Sequence, residues 1–516
     1  MRQQSFNPNK LKPSIEIEAI DMRTTKPAPT HLPLAAGLHR AASVTSFQPA
    51  RAVAAVAASL LLLAAGSARA ADGNWTNDAA GNWSDATKWS SNPTVPGTAA
   101  GDTVGLNNDI TADRTVTIDT ASRTVGTLNL GDEAEPLVNF TLAANGGAFL
   151  AFNNKGSGAA ISKTGGSSGD SISSPLFLAD NLTATVTAGV LTISGDTSGS
   201  GSLTKDGSED MIMSGNNTYG GGTTINDGRL HISFPSSLPP RGAVQVNGGT
   251  LNLNAVGTYK QSITLASGGA LATRAVCALG NVTLPTSGTV TLNLDDSGTA
   301  PMVLNSSVAL TGDLTVNVGG KHDVVGNVTI TGAISGGSGL IKSTTGSVST
   351  GALILSGNNT YSGATTISSG SLIGVAGGSC SNSAVTVNNT AGCTLGVRVN
   401  VNTKQWTCAS LTSAGANANL AFGFRKTPST NLAPLKVTRD LTLTGTPTLT
   451  VDPANLVAGK YPILVYGGNL VGTAPTTATI GRGLSGTLAW GDGTTYSTKT
   501  LVLTVTGTST SPINGG

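Results

Sequence analysis

A chain of 516 residues in which only 11% are charged, against roughly 25% in an average soluble protein, must draw its polarity from hydroxyls and amides. Its formal net charge is +2, and no run of Lys and Arg is present that could neutralise a row of phosphates, which excludes nucleic acid as the partner. Sixty-eight glycines, close to twice the usual ~7%, call for many short elements joined by tight turns.

Residues 1–70 read as a tail and a signal peptide. After Arg51 comes an apolar core from Ala52 to Ala65, then Ala68-Arg69-Ala70, the small-x-small pattern of a cleavage site. The core is shorter than the ~20 apolar residues that span a bilayer. Export is therefore expected, with a mature chain that begins near Ala71, has no transmembrane segment, and works outside the cell, on its surface, or in the periplasm.

Residues 71–102 hold three of the five tryptophans, Trp75, Trp83 and Trp89. They read either as a cap over the first layer of a stacked core or as a platform on which sugar rings stack. From residue 103 to about 440, short runs alternate Val, Leu and Ile with Thr and Asn between Gly, Asn, Asp or Ser: "RTVTID" (114–119), "TVGTLNL" (124–130), "LTATVTAGVLTISG" (182–195), "GTVTLNLDD" (288–296) and "NVTITGAISG" (327–336). Period-two alternation over four to six residues predicts half-buried strands. No stretch keeps a 3.6-residue apolar period, so the fold class is all-β. Residues 441–516 read as the last coils and a C-terminal cap, with a capping strand pair within 441–472.

One phrase occurs twice, "MSGNNTYGGGTTINDGRL" at 213–230 and "LSGNNTYSGATTISSGSL" at 355–372. Met211, Met213, Ile225 and Leu230 correspond to Leu353, Leu355, Ile367 and Leu372, and these are the expected repeat core. Gly215, Asn216, Asn217 and Tyr219 correspond to Gly357, Asn358, Asn359 and Tyr361, the expected corners, with the Gly-Asn-Asn tripeptides suited to left-handed backbone. Asp227-Gly228 and Ser369-Gly370 form a second turn. Strands of three or four residues cannot stand alone, but stacked on equivalents above and below each adds a layer to a continuous apolar column. Matching flanks, "SLTK" with "GLIK" and "AVQVN" with "AVTVN", extend the repeats to about 203–232 and 340–374. The architecture these patterns favour is a right-handed parallel β-helix. Consecutive β-sandwich modules fit less well, because their strands run longer.

Chemistry-bearing residues are sparse. Cys277, Cys380, Cys393 and Cys408 are the only cysteines, and Cys380 with Cys393 is the candidate disulfide because it closes a short loop. No CxxC is present, and His231 and His322 stand far apart, so no metal or other cofactor is expected. Asp295 and Asp296 read as a solvated turn. Asp206, Glu209 and Asp210 form an acidic patch with no evident basic or histidine partner, so catalysis is not expected.

The doubled phrase closely resembles the autotransporter-associated β-strand repeat, whose pattern runs apolar-x-Gly-x-Asn-Thr-Tyr-x-Gly-x-Thr-x-Ile-x-x-Gly-x-Leu. The resemblance implies a β-helical, passenger-like region of an exported bacterial protein. One departure is that "LTVTGTSTSPINGG" at 503–516 does not read as the amphipathic strands of a membrane barrel. The expected role is a structural or adhesive element at the cell surface, without catalysis, whose partners are extracellular glycans or surface proteins. The alternatives are a polysaccharide lyase or hydrolase and a glycan-binding module.

Overall fold

The computed structural model describes residues 71–274, 277–294, 301–319, 327–344 and 351–507. The apolar segment with Ala68-Arg69-Ala70, and also His322, Asp295 and Asp296, lie outside the described residues. The chain divides into units 1–66 and 67–516, and the described residues all belong to the second.

These residues form strands and connections, with two three-residue 3-10 turns, Ala86–Lys88 and Pro235–Ser237, as their helical elements. The strands coil into a parallel β-helix. A first ladder rises from Gly73–Asn74 through Leu203–Asp206 and Thr223–Ile225 to Val282–Thr283, every step parallel. A second runs unbroken from Gly81–Asn82 to Leu470–Gly472. At about 4.8 Å per strand, that ladder extends on the order of 75 Å. A third begins at Met302–Leu304 and reaches Thr477–Ile480.

Register gives the coil length. Leu182 pairs with Leu203 and Leu203 with Thr223, so an early coil takes 20 or 21 residues. Leu314 pairs with Leu340 and Leu340 with Thr365, so a later one takes 25 or 26. Because side chains alternate across a strand, the Val, Leu and Ile of each run fall on one side, and the buried–intermediate alternation of Leu182–Val186 is typical. Each such side chain contributes about 1.5–3 kcal/mol of burial, and together they form one continuous core.

Toward the C-terminus the direction of pairing changes. Gly459–Tyr466 and Ser485–Trp490 both lie antiparallel to Thr500–Thr506. The antiparallel segment therefore reaches well past the strand pair expected within 441–472, and it covers the end of the coil with strands that the parallel ladders could not themselves supply.

Candidate functional site

The repeated phrase is one coil that closes on itself. Met211 pairs with Leu230 and Met213 with Ile232, while Leu353 pairs with Leu372 and Leu355 with Gly374. The phrase's first strand thus lies under its last. Met211, Met213, Ile225, Leu230, Leu353, Leu355, Ile367 and Leu372 are all fully buried. The two coils sit one ladder apart. Leu203–Asp206 and Asp210–Met213 belong to the first and second ladders, whereas Leu340–Ser343 and Ala352–Leu355 belong to the second and third.

The corners differ from the expected left-handed turns. Neither Gly215-Asn216-Asn217 nor Gly357-Asn358-Asn359 has a positive φ, and Asn358–Asn359 is itself a short strand. Glycine is required there by close approach: a Cβ on Gly215 would lie 2.4 Å from the Gly195 carbonyl oxygen, and one on Gly357 2.5 Å from that of Gly332. The second turn does use left-handed backbone, at Gly228 (φ 59°) and Gly370 (φ 70°).

Each corner asparagine is a clip between coils. Asn217 Oδ1 accepts from the Thr197 backbone N–H (2.9 Å), and its Nδ2 donates to the Ser237 carbonyl (2.6 Å). Asn359 Oδ1 accepts from the Ile334 N–H (2.9 Å), and its Nδ2 donates to the Gly357 carbonyl (3.2 Å). Tyr219 and Tyr361 are fully buried, their hydroxyls 2.7 and 2.5 Å from Thr223 and Thr365 Oγ1. Burial pushes both phenols above their usual value. These rings cannot reach a ligand outside the coil.

A buried lysine completes the device. Lys205 and Lys342 are fully buried and lie in register beneath Ile225 and Ile367. Lys205 Nζ donates to the carbonyls of Asp206, Gly207 and Asp227. Lys342 Nζ donates to those of Ser343 and Ser369. In both copies the ammonium ties its own turn to the equivalent turn of the next coil. Burial lowers both lysines, Lys342 to about 8. The signal is present in "SLTK" and "GLIK", where one Lys recurs at the end of an apolar run.

The acidic patch does have partners. Lys205 lies beside it, and His231, one coil on, places Nε2 3.0 Å from Asp210 Oδ2. Its Nδ1 is 3.1 Å from Asn252 Nδ2. The expectation of no basic or histidine neighbour is thereby corrected: the register sets His231 between Ile212 and Asn252, and the Asp210 side chain reaches His231 diagonally across the two strands. Both ring nitrogens of His231 are engaged within this row.

Cys380 and Cys393 do not form the expected disulfide; Cys380, Cys393 and Cys408 are free thiols. Cys380 lies in register with Cys408 on the second ladder, whereas Cys393 sits at a turn leading into Thr394–Val399 on the third. Burial pushes the Cys380 thiol up to about 11. Among the described residues no group of three His, Cys, Asp or Glu could hold a metal.

Trp75, Trp83 and Trp89 interlock at the N-terminal edge of the ladders. Ring centroids are 5.0 Å apart for Trp75 and Trp89 and 4.8 Å for Trp83 and Trp89. All three rings are buried, and each indole N–H donates to a backbone carbonyl, of Ala79, Pro96 and Trp83 respectively. No ring face is open for a sugar.

The family model described as passenger-associated-transport-repeat matches residues 203–232 and 349–373. The chain carries two passenger-associated transport repeats. No curated protein and no solved structure matches the chain. In both passenger repeats the second asparagine, the tyrosine and the lysine are buried, while Asn216, Thr218, Asn358 and Thr360 are exposed, and among the described residues no helix is long and apolar enough to cross a membrane.

Proposed function

We propose that the chain is an exported, non-catalytic structural and adhesive element of a bacterial cell surface. Its repeats form a stiff spacer that presents outward side chains to extracellular glycans or surface proteins. The observation that carries this reading is the inward use of the passenger repeats: Asn and Lys at matched positions hold coil to coil and Tyr at matched positions is buried in the coil, so these repeated residues maintain shape and leave chemistry to the residues between them. Export is supported by the Ala52–Ala65 segment with Ala68-Arg69-Ala70 and by the passenger character of the repeats.

Two measurements test the proposal. Protease shaving of intact cells is expected to remove the chain from the surface, and retention in the cytoplasm would overturn export. The purified chain, incubated with acidic and neutral polysaccharides with and without Ca²⁺, is expected to release no shorter products. Turnover abolished by an Asp substitution would overturn the non-catalytic reading.

A further inference from the structure

On the outer side of the third ladder, beyond the second passenger repeat, the register stacks Ile373, Gly396, Ala421 and Thr450 in one column and Val375, Arg398, Gly423 and Asp452 in the next. Glycine and alanine leave a groove of about 250 Å³ between these coils. A Cβ on Gly423 would meet nothing within 4 Å, so the floor is open to the outside.

Arg398 and Arg425 both line this groove. Neither guanidinium has a carboxylate at ion-pair distance among the described residues. Burial, and then the like charge of Arg425, lower Arg398 from its usual value. Asp452, two coils beyond Arg398, uses its Oδ1 to accept from the Ala454 N–H. It gives the far end of the groove the opposite charge. Along the other edge runs an amide and hydroxyl strip, in which Asn419 Nδ2 lies 3.2 Å from Thr450 Oγ1 and 3.4 Å from Thr394 Oγ1.

We propose that this groove binds a carboxylate-bearing polysaccharide, one uronic acid unit at a time, with its carboxylate between Arg398 and Arg425. Paired guanidiniums match a carboxylate in charge and in planar geometry. The small-residue floor at Gly396, Ala421 and Gly423 admits the face of a pyranose ring, and the Asn419–Thr450 strip offers donors and acceptors to ring hydroxyls. The space is smaller than the ~300–1,000 Å³ of enclosed small-molecule sites, which suits one unit of a polymer lying across an open surface. Asp452 repels a second carboxylate at the far end and so fixes the direction in which the unit lies. The inference deepens the surface-adhesion reading and rests on it only for where the glycan is met.

The test is titration of the full chain with oligogalacturonate of four to six units, with the matching neutral glucose oligomer and a short polyglutamate as controls, at low and high salt. The wild type is expected to bind the uronate oligomer, weaken as salt rises, and leave both controls unbound. Arg398→Gln with Arg425→Gln is expected to lower affinity at least tenfold. Gly423→Ile, which fills the floor without touching charge, is expected to do the same while thermal melting stays unchanged. Absence of uronate binding, equal affinity in Gly423→Ile, or equal binding of polyglutamate each overturns the proposal. Protease shaving is read separately, so a chain that is surface-exposed but does not bind uronate removes this site and leaves the surface role standing.

Discussion

The two passenger repeats share an interior and differ on the outside. Inward, Met211, Met213, Ile225 and Leu230 match Leu353, Leu355, Ile367 and Leu372 in burial and register. Outward, the first copy stacks Ile212, His231 and Asn252, and the second stacks Ile354, Ile373 and Gly396. The polar row of the first copy is closed on itself by hydrogen bonds, while the second copy's outer column opens into the arginine groove. Selection for stacking therefore fixes one face of each strand, and the other face is free to diverge into a surface with its own chemistry.

The interior match breaks at one position, and the largest expected effect lies there. Where the first copy has Ile232, the second has Gly374, whose added Cβ would fall 2.3 Å from the ring of Trp406. Trp406 is fully buried and fills from the next coils the space that an isoleucine fills in the first copy. Trp406→Ala is expected to cost about 3–5 kcal/mol. Gly374→Ile alone is expected to be destabilising through overpacking, and the double variant to recover part of the combined loss. Guanidinium titration together with hydrogen exchange over 371–413 measures this, because long repeat arrays need not unfold in one step. Additive losses would mean that the ring and the glycine are not coupled.

The lysines sharpen the comparison next. Lys342 is held near 8 by burial, whereas the same effect on Lys205 is opposed by Asp227, Asp206, Asp210 and Glu209. A lysine whose folded value is depressed holds fewer protons than the unfolded chain between the two values, so stability rises with pH across that window and is flat below it. The wild type is expected to gain on Lys342→Met by on the order of 3 kcal/mol between pH 8 and pH 10.5. Lys205→Met is expected to show a shallower slope. Unfolding midpoints of all three proteins at pH 7.5, 9 and 10.5 give the comparison, in which the buried tyrosines cancel. A Lys342→Met difference that does not change with pH would show that the ammonium is not desolvated.

The asparagine clips differ in their bond to the next coil. Asn217→Leu strands the Thr197 N–H and the Ser237 carbonyl of two other coils, whereas Asn359→Leu strands the Ile334 N–H and a carbonyl of its own corner and gives up only a weak 3.8 Å contact to Cys380 Sγ of the next coil. Each is expected to cost about 1–3 kcal/mol, the penalty for leaving a buried polar group unpaired, with Asn217→Leu the larger. Equal midpoints in chemical denaturation would argue that only the bond to the preceding coil matters.

These clips also mark where the sequence is legible and where it is not. Period-two runs and the repeated phrase point to short strands in stacked coils, because alternation within a strand is a local property. Pairings between coils depend on coil length, which ranges from 19 residues at Asp210–Arg229 to 35 at Gly81–Val116 and is not written in any single coil. That is why spacing alone does not place His231 on Asp210, why it pairs Cys380 with Cys393 rather than stacking it on Cys408, and why Gly-Asn-Asn reads as a left-handed turn. A pair of asparagines between glycine and a hydroxyl residue has the composition of a turn, yet here no φ is positive and the second asparagine commits its amide to the coils beside it. The lysines escape notice for the opposite reason: a charged residue at the end of an apolar run reads as a solvent-facing stop, and only the turn carbonyls converging from the next coil make an interior site for it.

The smallest effect is expected at the outer columns. His231→Leu gives the first copy an apolar side chain where the second has Ile373, and removes bonds to Asp210 and Asn252. The Asp210 side chain is 41% exposed and that of His231 11%, so water can replace the partner that Asp210 loses, and the change is expected to cost about 1 kcal/mol. Thermal melting is expected to move by no more than that implies, while Trp406→Ala and the clip variants move it clearly. A large loss on His231→Leu would instead make the Asp210–His231–Asn252 row a structural member equal to the interior, and the division of each strand into a fixed inner face and a free outer face would fail where the outer face is hydrogen-bonded across three coils.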